Sequence, residues 1–291
     1  MPVPLAIQLY ASVGPSMAAD PAGTLARLAE TGYAGIEASS SVGLSEAFGA
    51  YVKNLFKDLP EENLGVVHMG KPLPAAQLRQ LADDNGLQIC GAHAQLPDGP
   101  EASAILDEQA ELGNTLVVAS TLFDEERGQF ETFTELDAIK RAADRFGMAQ
   151  DKARAYGMRI GYHNHFWEFG GSFDGRSGLE VFYDLVDPEV FAEVDVHHAY
   201  AAGLDPAELL RSLGDRVQLV HVKDGNGTPS APSAPVGHGV VDIPAVLDAA
   251  AHAQWHVVEL ENLGDEVWPA VTESARYLID GGYSQPRSGA L

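Results

Sequence analysis

The chain is short of cysteine, of basic residues and of long apolar runs, and each shortage removes a class of function. Cys90 is the one cysteine in 291 residues, so no intramolecular disulfide can form and no oxidising compartment is implied. It sits in the apolar run LQICGAH, where it reads as a small buried hydrophobe. Lys and Arg total 18 against 42 Asp and Glu, a formal net charge of −24 with a pI near 4.6. A nucleic-acid backbone is bound by clustered cations that displace counterions, and an anionic membrane surface makes the same demand, so neither is an expected partner. No apolar run reaches the length of a membrane span, and the start MPVPLAIQLYAS lacks the basic and then apolar character of a signal peptide. A cytoplasmic location is the expectation. No GxGxxG or P-loop pattern opens an early helix, which counts against a doubly wound nucleotide-binding sheet.

What remains is an ordinary globular composition, 45% apolar and 21% charged, arranged as short apolar runs alternating with helical stretches. The runs lie near residues 6, 34, 88, 115, 159, 192, 217 and 256. They are continuously apolar without alternation, as strands covered on both faces are. Eight strand–helix units in this length predict an α/β fold, a (β/α)8 TIM barrel forming a single domain over residues 1–291. Residues 39–74 read as an insertion with FGAYVKNLFKDL as a helical candidate. A turn is expected at Gly14 and Pro15, a flexible loop over residues 225–239 (GNGTPSAPSAPVGHG), and fraying in the tail over 282–291.

In such barrels the active face is built at the carboxyl ends of the strands. Here the fifth run is followed by His163, His165 and Glu168, the sixth by Asp195 and His198, the seventh by His221 and Lys223, and the eighth by Glu259 and Glu261; Gln8, Glu37 and His93 end earlier runs. Asp195, His221 and Glu259 form the strongest trio, because deprotonated oxygens and an imidazole on separate rigid strands suit a divalent ion. Mn2+ or Mg2+ comes first, with Co2+ or Zn2+ as alternatives. A buried ion-pair network without metal is the competing reading. His221 and Lys223 stand two apart, hence on one face of a strand. Lys223 therefore either holds a substrate oxygen beside the ion or pairs with Asp224 or Glu261. Glu37, His93 and His198 are substrate-binding candidates, and the Gly-flanked His238 either closes over substrate or belongs to a surface turn.

The pieces IQLY (7–10), GYAGIE (32–37), GLQICGAH (86–93), YHNHFWEF (162–169), EVDVHHAYAAGLDP (193–206), HVKD (221–224), VGHGVVD (236–242) and VVELE (257–261) together resemble the xylose-isomerase-like sugar phosphate isomerase/epimerase family, which shares its fold with endonuclease IV. The resemblance implies one divalent cation held by Glu, Asp, His and Glu, the last three falling on Asp195, His221 and Glu259. Where the best-known members have the first Glu, this chain has His163. The fourth ligand is then His163 or Glu168, and Glu168 is favoured because a further carboxylate better neutralises the ion. The implied chemistry is proton abstraction next to a carbonyl through an enediolate, with His163 or His165 as acid/base partner to Glu259. No phosphate cradle of Gly backbone plus a basic residue is evident, so an unphosphorylated sugar, keto-sugar or cyclitol is the expected substrate. Isomerisation or epimerisation is the first expectation, and a keto-sugar or inosose dehydratase or lyase the second. An endonuclease IV-like phosphodiesterase and a non-catalytic sugar-binding barrel rank below these, and homo-oligomeric assembly is left open.

Overall fold

The eight apolar runs become eight parallel strands: β1 (Val3–Gln8), β2 (Gly35–Ser39), β3 (Gln88–His93), β4 (Leu116–Ala119), β5 (Arg159–His163), β6 (Phe191–Asp195), β7 (Val217–Val222) and β8 (Trp255–Val258). Each pairs with the next, and β8 returns to β1 with His256 opposite Leu5 and Val258 opposite Ile7, which closes the ring. The expected barrel is therefore the observed one. These features come from a computed structural model that describes residues 3–55, 73–124, 127–229 and 231–287.

Continuous burial explains the continuous apolar runs. Every residue of β4, β6 and β8 is buried, because helices pack outside and side chains fill the interior. Ala6, Cys90, Leu116, Val118, Phe191, Leu219, Trp255 and Val257 form an inner cluster of their own. Two glycines make room for its large rings: a Cβ at Gly161 would lie 2.3 Å from the Phe191 ring, and one at Gly35 would lie 2.7 Å from that of Trp255. Stepping two residues along a strand keeps the inward face. The same step climbs from this apolar floor into polar groups: Gly161 to His163, Phe191 to Glu193 to Asp195, Leu219 to His221 to Lys223, and Val257 to Glu259. Register shifts between Ile36 and Glu37, and between Ala192 and Glu193, fall directly before two inward glutamates. Such irregularities re-aim the side chain that follows.

Several connections depart from the sequence reading. In place of a turn at Gly14 and Pro15 there is a helix, Leu9–Ala19, which is non-helical at Val13 and begins with the Gln8 side chain accepting from Ala11 N–H. Of the insertion at 39–74, Glu46–Leu55 is a helix and residues 56–72 lie outside the described residues. The tail is held as far as Arg287: Ser284 and Gln285 pair with Val3 and Pro4, and Arg287 N–H donates to Gly32 O. The loop after β7 is gripped by the buried Asp224, whose carboxylate accepts from the N–H groups of Gly225, Gly237, Gly239 and Val241 at 2.8–3.2 Å. Four backbone donors on one carboxylate fix what its composition had suggested was flexible. No helix among the described residues is long and apolar enough to cross a membrane.

Candidate metal centre

His163, Asp195 and His221 on β5, β6 and β7, and Glu259 directly after β8, each offer one ligand atom, and these atoms lie within 4.8 Å of one another. Asp195 is placed by its neighbours. Asn164 Nδ2 donates to its carbonyl at 3.2 Å and Asn164 Oδ1 accepts from its N–H at 3.1 Å, while Asp195 Oδ1 caps the helix Val196–Ala201 by accepting from His198 N–H at 2.8 Å. That leaves Asp195 Oδ2 buried with no hydrogen-bond partner. His221 Nδ1 is 2.7 Å from Glu259 Oε2, and Lys223 Nζ stands 3.7 Å from Asp195 Oδ2 and 3.8 Å from Glu259 Oε2. Bonds of roughly 2.0–2.2 Å to one ion put its ligands within about 4.4 Å of each other, close to the span seen here. Lys223 stands beyond hydrogen-bond reach of Asp195 Oδ2, and a buried carboxylate oxygen left without a bond is costly unless a cation comes closer. Two carboxylates and two imidazoles thus fit one borderline divalent ion.

Beneath this set lies a second ring of polar groups. Glu193 Oε1 is 2.7 Å from His93 Nε2, 2.9 Å from His163 Nδ1 and 3.1 Å from His221 Nε2. Glu37 Oε2 is 2.8 Å from His221 Nε2 and 3.3 Å from His93 Nε2. Glu193 had gone unnoticed in the sequence reading; the available signal was its place two residues before Asp195, on the same strand face. Glu37 and His93, expected to touch substrate, instead sit in this lower ring.

Electrostatics sort the groups by charge. Burial pushes Asp195 up to about 7, with Glu259 adding to the effect, and burial with the nearby Glu193 does the same for Glu37. For Glu193, burial is outweighed by His221 and His93, and for Glu259 by Lys223 and His221, so both stay well below the usual carboxylate range. Burial, aided by His221, lowers His163 to about 4, and burial holds His165 and His198 well below the ordinary histidine value. Lys223 is buried too, but Glu259, Glu261 and Asp195 keep it charged.

Residues 25–280 match the xylose isomerase-like TIM barrel family. The chain belongs to that family. Over 69 residues it is 38% identical to an inosose dehydratase of Geobacillus kaustophilus, a match spanning 23% of this chain and 21% of that protein's length. A sugar phosphate isomerase/epimerase from Parabacteroides distasonis shares the fold with a TM-score of 0.72 and 23% identity, over 98% of this chain and 96% of that one. A family protein from Mycobacterium smegmatis, solved in complex with magnesium, superposes with a TM-score of 0.61 at 16% identity, over 97% of both chains.

Two expected site residues go elsewhere. Glu168, the favoured fourth ligand, is turned away by the short 3-10 helix Trp167–Phe169: Tyr162 Oη donates to its Oε1 at 2.6 Å and His165 N–H to its Oε2 at 2.8 Å. It is absent from both four-residue clusters of metal-type donors found among the described residues, and His163 stands in its place. His238 is exposed and lines a surface cleft with Glu273, Arg276, Tyr277, Asp280, Gly281 and Tyr283, apart from the candidate ligand set. His165 and His198 do border the set. His163, His165 and His198 follow one another with ring centroids 5.0 and 5.1 Å apart, and Trp167 stacks on His165 at 4.1 Å. Lys223 also pairs with Glu261 at 2.5 Å.

Proposed function

We propose that this chain is a divalent-metal-dependent enzyme that removes a proton beside the carbonyl of an unphosphorylated sugar, keto-sugar or cyclitol, and returns one to isomerise or epimerise the substrate. The carrying observation is the unequal exposure of the four donors. Glu259 keeps 8% of its side-chain surface open, against 2% for His163 and none for Asp195 and His221. A carboxylate that is ionised and faces the cavity is the group placed to act as base.

His163, Asp195, His221 and Glu259 would hold the cation, and with two imidazoles in the set Mn2+, Co2+ or Zn2+ is favoured over Mg2+. Bound there, it supplies Lewis-acid polarisation of the substrate carbonyl. Glu259 takes the proton from the adjacent carbon, and the electron pair moves onto the carbonyl oxygen to give an enediolate. Lys223, charged and within 4 Å of both Asp195 and Glu259, binds a substrate oxygen and offsets that charge. Protonated Glu259 then returns the proton to the neighbouring carbon while the vicinal hydroxyl gives its proton to the former carbonyl oxygen, which isomerises the sugar. Epimerisation instead needs a proton on the opposite face of the first carbon from a second group, the role of His165. The imidazoles of His165 and His198, held neutral by burial, bind hydroxyls, and the stacked faces of Trp167 and His165 suit a sugar ring. Carboxylates outnumber Lys223 at this rim, which favours an uncharged substrate over a phosphate. In the same proposal the partner is a small cytoplasmic molecule, and neither nucleic acid nor membrane takes part.

Dehydration is a second reading, favoured by the match to an inosose dehydratase: the same proton removal is followed by loss of a β-hydroxyl. A panel of unphosphorylated ketoses, keto-sugars and inososes, incubated with Mn2+-loaded protein in D2O and followed by NMR, separates the two. Deuterium beside the carbonyl in a product of unchanged composition supports isomerisation, and loss of water supports dehydration. Absence of both exchange and product formation across the whole panel rejects proton abstraction.

A further inference from the structure

Building on the metal-site reading above, we infer that Glu193 is the positioning residue that sets the tautomers of the two ligand imidazoles, His163 and His221, and so aims their lone pairs at the cation. Glu193 is fully buried, and three ring nitrogens converge on its Oε1: His93 Nε2 at 2.7 Å, His163 Nδ1 at 2.9 Å and His221 Nε2 at 3.1 Å. A carboxylate accepts hydrogen bonds, so each facing nitrogen carries its proton. His163 is then the Nδ1–H tautomer, with Nε2 as donor atom. His221 faces carboxylates on both sides, with Nδ1 2.7 Å from Glu259 Oε2, so both nitrogens carry protons in the metal-free chain. A cation would displace the Nδ1 proton and leave the Nε2–H tautomer, with Nδ1 as donor atom. Glu37 Oε2, 2.8 Å from His221 Nε2, is a second acceptor for the same N–H.

The lower cluster of His93, His163, Glu193 and His221 has the composition of a cation site itself. It shares His163 and His221 with the upper cluster, and a neutral imidazole has one lone-pair nitrogen to give. With the upper site filled, the shared rings have only N–H groups to offer below. The lower ring is therefore support for one ion, with Glu193 as its hub. The placement is built into the strand: the register shift between Ala192 and Glu193 precedes this side chain, and Asp195, a ligand, follows two residues on along the same face.

Outer carboxylates on metal-bound histidines contribute roughly 10–100-fold in metal affinity. The test is Co2+ titration of the full metal-free chain, wild type against Glu193→Gln, by calorimetry and visible absorption, with near-UV circular dichroism to verify the fold. One equivalent should bind to each protein, with affinity roughly 10–100-fold weaker and the cobalt bands shifted in the variant. Should Glu193→Gln not fold, long-range 1H–15N NMR of the Zn2+-loaded wild type decides, and Nδ1–H at His163 with Nε2–H at His221 is expected. Equal affinity in wild type and variant, the opposite tautomers, or a second tightly bound equivalent overturns the role of Glu193 while leaving the metal site intact. Absence of binding to the wild type overturns the metal site and this role together.

Discussion

Replacing Glu168 by Gln separates a buried structural acid from a metal ligand. The side chain is fully buried, and burial lifts it to about 7 despite the bonds from Tyr162 and the His165 N–H. The ordinary value is 4.5, so the folded protein holds this proton more tightly than the unfolded chain does. Its charged form therefore costs nothing below pH 4.5, and progressively more as pH rises to about 7. At ~1.4 kcal/mol per pH unit the full interval amounts to about 3 kcal/mol, of which about 2 kcal/mol falls between pH 5.5 and 8, clear of the isoelectric point. Gln keeps the shape and stays neutral throughout. Urea unfolding of metal-free wild type and Glu168→Gln at pH 5.5 and 8 should show the variant gaining about 2 kcal/mol over wild type across that window. Its Mn2+ stoichiometry should remain at one, whereas His163→Ala should lose the ion. A pH-independent difference between wild type and Glu168→Gln, or loss of metal from Glu168→Gln with retention in His163→Ala, would refute the assignment.

Asp195→Ala should abolish both Mn2+ binding and turnover while far-UV circular dichroism stays that of the barrel; metal bound at unchanged stoichiometry counts against the site. At the floor, Gly161→Ala places a methyl 2.3 Å from the Phe191 ring. Overpacking of that kind costs typically ~1–3 kcal/mol, so thermal unfolding should move several degrees down, and an unchanged midpoint would mean that the ring yields freely.

The barrel was legible because each strand repeats one local pattern, an apolar run closed by a polar group, and closure needs nothing further. Asp195, His221 and Glu259 were legible for the same reason, since each ends such a run. Glu193 was not, because a glutamate inside FAEVD reads as a strand residue until the inward face is known and three imidazoles are seen to meet it. The preference for Glu168 rested on charge neutralisation and ignored direction: the chain turns after His165, and the carboxylate is spent on Tyr162 and a backbone N–H. His238 carried a motif's look but no strand to aim it. Composition misled at residues 225–239 as well, since one buried acid outside the low-complexity stretch controls its ends.

That acid, Asp224, follows Lys223 directly in the chain. One residue points its ammonium at Asp195, Glu259 and Glu261 while the next clamps the returning segment at Gly237, Gly239 and Val241. Gly239 approaches so closely that a Cβ there would lie 2.4 Å from the Gly225 backbone. The segment that leaves at Gly225 and returns at Gly237 thus starts and finishes at one buckle, and on the way back Ser233 is tied to Glu261 and Val236 to Ser274. A graft there must leave Ser233, Ala234 and Val236 where they are, while the lysine beside the buckle keeps its aim.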